Sequence, residues 1–308
     1  ISGESFVRQI LYGQHYFEQE FGVRSRTCWQ PDVFGMSAAM PQILARSGID
    51  YVMTIKMFIW NDTNPWRKNT FWWEGIDGSR SLTVVTPSHF IGMVDPDHLH
   101  DHWHDYADKE AIGESMYCYG WGDGGGGVDV EMLESARRYQ RIKGLPELRH
   151  SGAEETLDSI KSKAVDQELP IWRDELYLEA HRGTPTNKGI LKKLNRQGEF
   201  LLREGELLAT LAWLKGTPYP TQELTDAWEI FLTTQFHDSL SGTHINAVLG
   251  DLLDEHELVR SLVIDVRQEA LSGILDDGYD SSPTTLTVFN SFLHPRNDAL
   301  MLLATNLD

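Results

Sequence analysis

The order of strand-like and helix-like segments in the first half of the chain restricts its fold more than any other feature. A helix is expected from about Glu4 to Glu20, an extended stretch around Thr27 to Pro31, a helix from about Ser37 to Ser47, and a strand over Tyr51 to Ile55. Phe71 to Glu74 and Ser81 to Thr86 flank GIDGSR, whose Asp-Gly step signals a hairpin. Ser115 to Tyr119 reads as another strand, running into Gly120 to Gly127 and then the helical VEMLESARRYQRI. This order predicts an α/β domain with a largely parallel sheet, so functional side chains should gather at the carboxyl ends of its strands.

From about Asn187 the period lengthens to near 3.6 residues. Phe200, Leu207, Leu208, Leu211 and Leu214 mark one apolar face, and Leu224, Ala227, Trp228 and Phe231 mark a second. Ile245, Val248, Leu249, Leu252, Leu253, Val259, Val263 and Val266 mark a third. With the turns GTPYPT and SGT between them, these faces predict a three-helix bundle. After DDGYDSSPTT, the run LTVFN reads as a strand, followed by ALMLLATNL, which places the end of the chain just inside a β domain.

With 308 residues, 41% of them hydrophobic, the chain has room for about two domains and a sizeable core. Its 27 Lys and Arg against 46 Asp and Glu leave a net charge of −19, which argues against nucleic acid and anionic membranes as partners. Ten tryptophans in so acidic a chain suit a neutral ring such as a sugar, which stacks on aromatic faces and donates hydroxyl hydrogens to carboxylates. Cys28 and Cys118 form neither a disulfide framework nor a CxxC pair, which fits a reducing, cytoplasmic compartment. No apolar run reaches the length of a membrane span. The chain opens on Ile1 with a helix already under way, so the parent protein is expected to begin further upstream.

Several segments carry side chains suited to chemistry. In Pro31-Asp32-Val33-Phe34-Gly35, Asp32 would stand at a strand's carboxyl end facing a crevice, or simply cap the next helix. His237 in Gln235-Phe236-His237-Asp238 is either a polar helix-end residue or, with Asp32, a ligand of a zinc site. Gly120-Trp121-Gly122-Asp123-Gly124-Gly125-Gly126-Gly127 satisfies GxGxxG and so admits a dinucleotide pyrophosphate. The same glycines would also clear space for a bulky substrate to reach Asp123 as an acid and base, or make only a flexible turn. His98, His100, His102 and His104 alternate in DHLHDHWHDY: on a strand they would share a face and bind a metal, and otherwise they form a solvated loop.

Taken together, CWQPDVFGMSAAMPQILARSGIDYVMTIKM, NDTNPWRKNTFWWEGIDGSR, YGWGDGGGG, ELYLEAHRGTPTNKG and TQFHDSLSGTHI resemble, in the same order, the glycoside hydrolase family 38 α-mannosidases. The GDGGGG segment is similar to that of the cytosolic and vacuolar branch. The resemblance implies an internal fragment of such an enzyme. Residues 1–183 would be the second half of a largely parallel, barrel-like α/β catalytic domain, 184–275 a three-helix middle domain and 276–308 the start of a β domain. It further implies a retaining, zinc-dependent exo-α-mannosidase acting on mannose-containing oligosaccharides. Asp32 would be nucleophile and zinc ligand, Asp123 the acid/base, His237 a second zinc ligand, and Asp238 a partner of sugar hydroxyls. Lys56 stands where the family commonly has a basic residue beside the nucleophile. Asp32 and Asp123 would supply the two carboxyls that a retaining glycosidase holds about 5 to 5.5 Å apart.

The family draws two further zinc ligands from an HxD motif, and no histidine here is followed two residues later by an aspartate. That motif would lie upstream of Ile1. Pro185 also stands where the family usually has an aromatic residue. Two other readings compete: a nucleotide-dependent enzyme using the glycine loop, and a fragment that binds carbohydrate without cleaving it. Oligomeric assembly stays open.

Overall fold

The computed structural model describes residues 1–165, 167–275 and 288–297. Seven short strands form within the first part of the chain: β1 (Thr27–Trp29), β2 (Gly35–Met36), β3 (Tyr51–Thr54), β4 (Thr70–Glu74), β5 (Arg80–Val85), β6 (Ile171–Trp172) and β7 (Leu176–Tyr177). The helices are α1 (Gly3–Phe21), α2 (Met40–Arg46), α3 (Lys56–Ile59), α4 (Pro96–Asp105), α5 (Lys109–Ile112), α6 (Val130–Tyr139), α7 (Ala153–Ala164), α8 (Gly189–Leu214), α9 (Thr221–Thr233), α10 (His237–Ser241) and α11 (Asn246–Leu275). They fall into two compact units, Ile1–Gly189 with Phe236–Thr243, and the helical remainder.

The first unit is a mixed α/β layer. Its main sheet has the order β1-β3-β5-β4-β6, with β1, β3 and β5 parallel, β4 antiparallel to β5, and β6 parallel to β4. The β4–β5 hairpin closes where expected: Gly75 N–H donates to Ser79 O (2.9 Å), and Gly78 takes a left-handed φ of 81°. Strand β3 is buried on both faces, as a strand covered by helices on either side must be. Tyr51 and Met53 join Leu82, Val84, Leu157 and Ile160 on one side. Val52 joins Phe71, Trp73, Val85, Met40 and Leu44 on the other.

Two local expectations fail. Ser115–Tyr119 forms no strand; this stretch is tied instead by Tyr117 O–H to Met93 O (2.7 Å) and by Gly120 N–H to Gly92 O (3.0 Å). Met116 and Cys118 are packed on the sheet's core, so the segment adheres by side-chain burial rather than by a ladder. The histidine tract is a helix, not a strand or loop, because Asp95 caps it by accepting from His98 N–H (3.0 Å) and Pro96 preorganises its first turn. Helical periodicity then separates the imidazoles: His98, His100 and His104 are exposed, while His102 is buried. Burial drives its pKa down to about 4, and its two ring nitrogens meet Ser88 Oγ (2.7 Å) and Ser115 Oγ (2.8 Å).

The second unit is helical, built on α8, α9 and α11, and α9 buries Leu224, Ala227, Trp228 and Phe231 as their spacing predicts. In α11, Leu252, Val259, Val263 and Val266 are buried, whereas Ile245, just before the helix, is exposed. Phe200 and Leu214 of α8 are also exposed; Leu208 is buried as its spacing predicts, and the rest of the buried stripe runs through Leu202, Ala209 and Ala212. Among the described residues no helix is long and apolar enough to cross a membrane. The expected strand LTVFN lies partly outside the described residues, its tail Val288–Asn290 is not a strand, and ALMLLATNL lies wholly outside them.

Candidate active site

The three parallel strands end side by side, and the residues just past each end converge. Gln30 N–H donates to Met53 O (2.9 Å), which carries the β1–β3 pairing one step further and delivers Asp32 next to Lys56. Gly35 closes this turn with a φ of 104°, and a Cβ there would lie 2.6 Å from Leu176 O. The PDVFG segment therefore needs glycine at its fifth position to dock on β7.

Lys56 is almost wholly buried, its side chain 6% exposed, and its Nζ lies 2.5 Å from Asp32 Oδ1. The same ammonium sits 4.5 Å from the Phe34 ring centre and 4.7 Å from that of Trp60. Asp32 uses its other oxygen too: Oδ2 is 3.0 Å from His237 Nε2. His237 opens α10, and its Nε2 is also 3.7 Å from Asp238 Oδ2. Asp32, His237 and Asp238 each offer one ligand atom, and these atoms all lie within 4.8 Å of one another. Two carboxylate oxygens and one imidazole nitrogen are a donor set that suits Zn²⁺. Asp238, expected to meet sugar hydroxyls, thus brings its carboxylate into the same cluster. The hydroxyl of Thr243 donates to Asp238 Oδ1 and holds that side chain in place.

Asp123 stands apart from this cluster. It occupies a single 3-10 turn, Gly122–Gly124, and is exposed. The loop folds on itself through Trp121 N–H to Gly127 O (3.2 Å) and Trp121 Nε1–H to Asp129 Oδ2 (3.1 Å). Gly122 takes a φ of 54°, and a Cβ there would come 2.6 Å from Ile91 Cγ1, so the loop lies directly on Phe90 and Ile91. Helix α6 begins only at Val130, and the Asp129 carboxylate accepts from Met132 N–H (2.8 Å). The helix start that a pyrophosphate would need is thus already capped by a carboxylate, which removes the physical basis for the dinucleotide reading.

Side chains that the sequence did not single out complete the surroundings. His181 stacks on Phe34 (4.5 Å, 10° between planes) and faces Trp60 at 5.5 Å. It is brought there by Asn61, which donates to Tyr177 O and accepts from Glu179 N–H, and by Thr63, which binds the Glu179 carboxylate. Its Nδ1 is buried without a hydrogen-bond partner among the described residues, and burial together with the Lys56 charge lowers its pKa. His89 lies past the end of β5, its ring against Phe90 (4.3 Å) and Trp60 (6.0 Å). Burial lowers its pKa, while Asp123 and Asp32 both act to raise it, so His89 feels both carboxylates. A histidine soon after a strand's carboxyl end, as in TPSHF, was the signal available for His89. His181 lay inside ELYLEAHRGTPTNKG.

A catalytic-type constellation at the carboxyl ends of parallel strands places the first unit among α/β enzymes that bind ligands at that edge. Residues 1–175 match the glycosyl hydrolases family 38 N-terminal domain, and 179–274 match the alpha mannosidase middle domain. The chain belongs to glycosyl hydrolase family 38. It is 37% identical over 263 residues to human "Alpha-mannosidase 2C1", covering 84% of this chain and 25% of that protein. It is likewise 37% identical over 264 residues to "Alpha-mannosidase" of Saccharomyces cerevisiae, covering 80% of this chain and 24% of that relative. The chain therefore spans about a quarter of the length of these relatives. In fold it is similar to the crystal structure of an alpha-mannosidase from Enterococcus faecalis V583, with a TM-score of 0.75 at 20% identity, covering 90% of this chain and 32% of that one.

Proposed function

We propose that the protein is a zinc-dependent, retaining exo-α-mannosidase that releases terminal α-linked mannose from oligosaccharides in the cytoplasm. In this reading residues 1–183 contribute to the catalytic domain, and residues 184–275 form its helical middle domain. The observation that carries the proposal is Asp32: a strand-end carboxylate with one oxygen on a buried lysine and the other on a histidine, in a chain of this family.

Asp32 is the nucleophile. Lys56 orients it through an ion pair, its buried ammonium 2.5 Å from Asp32 Oδ1. Asp32 attacks the anomeric carbon while Asp123 gives its proton to the leaving oxygen; Asp123 then takes a proton from the water that hydrolyses the glycosyl–aspartyl ester. Exposure of Asp123 on a glycine loop suits a group that must meet both a bulky leaving group and water. Phe34 and Trp60 brace Lys56 and His181 beside the nucleophile, with the Lys56 ammonium 4.5 and 4.7 Å from their ring centres. Asp32, His237 and Asp238 would hold the zinc, which supplies a positive charge that binds sugar hydroxyls and favours a distorted ring.

The test is hydrolysis of an activated aryl α-mannoside by the full-length parent enzyme, with and without added zinc, alongside Asp32→Asn. Turnover that depends on zinc and is lost in the variant is the expected result. An Asp32→Asn protein that still forms a covalent glycosyl adduct would overturn the nucleophile assignment. A full-length parent protein that binds mannosides without cleaving them would favour the non-catalytic reading.

A further inference from the structure

We propose that His89 is a sugar-binding residue of this site, whose Nε2–H donates a hydrogen bond to a hydroxyl of the mannosyl ring held between Asp32 and Asp123. The inference rests on the mannosidase reading and adds to it a contact that selects which sugar ring the site accepts.

Four observations converge on this residue. First, β5 is the third parallel strand of the site, and His89 follows its end as Asp32 follows β1 and Lys56 follows β3. Second, its tautomer is set by its own loop: Ile91 N–H donates to His89 Nδ1 at 3.2 Å, so in the neutral ring the proton resides on Nε2. Third, Nε2 has no hydrogen-bond partner among the described residues, although the ring is part-exposed, so a donor is left ready for a ligand. Fourth, the ring cannot swing freely. It is packed against Phe90 at 4.3 Å and Trp60 at 6.0 Å, and the Gly122 backbone lies over Phe90 and Ile91.

The placement also explains what the other polar groups leave undone. Asp32, Asp238 and Asp123 are acceptors when ionised, and Lys56 already points its ammonium at Asp32. A mannose ring presents hydroxyl oxygens as well as hydroxyl hydrogens, and its oxygens need donors. A neutral imidazole N–H serves this without adding a second cation beside Lys56, and it discriminates sharply, because a site built to bond one hydroxyl is left unpaired by the sugar that lacks it.

The experiment is calorimetric binding of methyl α-mannoside and its 2-, 3-, 4- and 6-deoxy analogues to the zinc-supplemented protein, as wild type and with His89→Phe, His89→Gln and His89→Asn. Wild type should lose about ten-fold in affinity for one deoxy analogue. His89→Phe should bind the parent mannoside about as weakly, with no further loss on that analogue. His89→Gln, whose amide reaches to the position of Nε2, should restore the discrimination, and His89→Asn, which reaches only to Nδ1, should not. These two keep the comparison readable if His89→Phe does not fold. Unchanged discrimination in His89→Phe, or equal behaviour of the Gln and Asn variants, would overturn the inference while leaving the mannosidase reading intact. Wild-type protein that neither binds nor cleaves any mannoside would instead overturn the reading on which the inference rests.

Discussion

The two carboxylates proposed for catalysis sit in opposite environments. Asp32 lies at the end of a buried ladder, 24% exposed, with Lys56 on one oxygen and His237 on the other. Asp123 lies on a glycine turn, exposed, with the hydrogen bonds of its loop made by the backbone and by Trp121 rather than by its own carboxylate. The difference matches the demands of the two roles: a nucleophile benefits from fixed geometry and a held charge, whereas an acid/base must exchange protons and admit a leaving group. His102 links the regions, since it bonds Ser88 just before His89 and Ser115 on the way to the glycine loop.

Exchanging each carboxylate for an amide gives the widest separation. Asp32→Asn should lower hydrolysis by roughly 10⁴-fold or more on every substrate, since no covalent step remains. Asp123→Asn should cost roughly 10²- to 10⁴-fold on natural glycans but far less in the first step of an activated aryl mannoside, whose leaving group needs no proton. Burst kinetics would read this as accumulated glycosyl–enzyme. Equal losses for both variants on both substrates would erase the distinction drawn above.

Removing the buried charge tests the fixed half alone. Lys56→Met leaves Asp32 without its cation and should destabilise the first unit by about 3 kcal/mol, measured by urea unfolding; a metal added at the cluster should recover part of it. The link between the halves responds to pH. His102 titrates near 4 in the folded chain against an ordinary value of 6.5, so below about pH 6.5 the unfolded state binds the extra proton. Stability should be complete above that pH and fall by up to about 3 kcal/mol as the pH drops to 4, and a His102→Gln variant should show a flatter profile. Smallest is Gly122→Ala, which places a Cβ 2.6 Å from Ile91 Cγ1 at a left-handed φ. It should cost about 1 to 2 kcal/mol and lower turnover on glycans more than the affinity for methyl α-mannoside.

Much of this architecture was legible in the residues. The hairpin at Asp77-Gly78, the buried run of β3 and the apolar face of α9 all follow from local pattern, because turn chemistry and burial periodicity act over a few residues. Ser115–Tyr119 misled because alternating apolar residues also describe an extended segment held by side-chain packing with no partner strand beside it. The histidine tract misled because the Asp95-Pro96 start signal outweighs the alternation that follows it.

What the sequence alone determined was the candidate segments and the sheet edge toward which they point: PDVFG, the lysine after β3, the QFHD histidine and the glycine loop. Only the tertiary structure decided their grouping. It joined Asp238 to Asp32 and His237, separated Asp123 onto an exposed turn, and placed His89 and His181 against Trp60. The reason is physical: strand pattern and turn residues encode local direction, but the distance between side chains far apart in the chain depends on which strands pair and on how the loops beyond them pack.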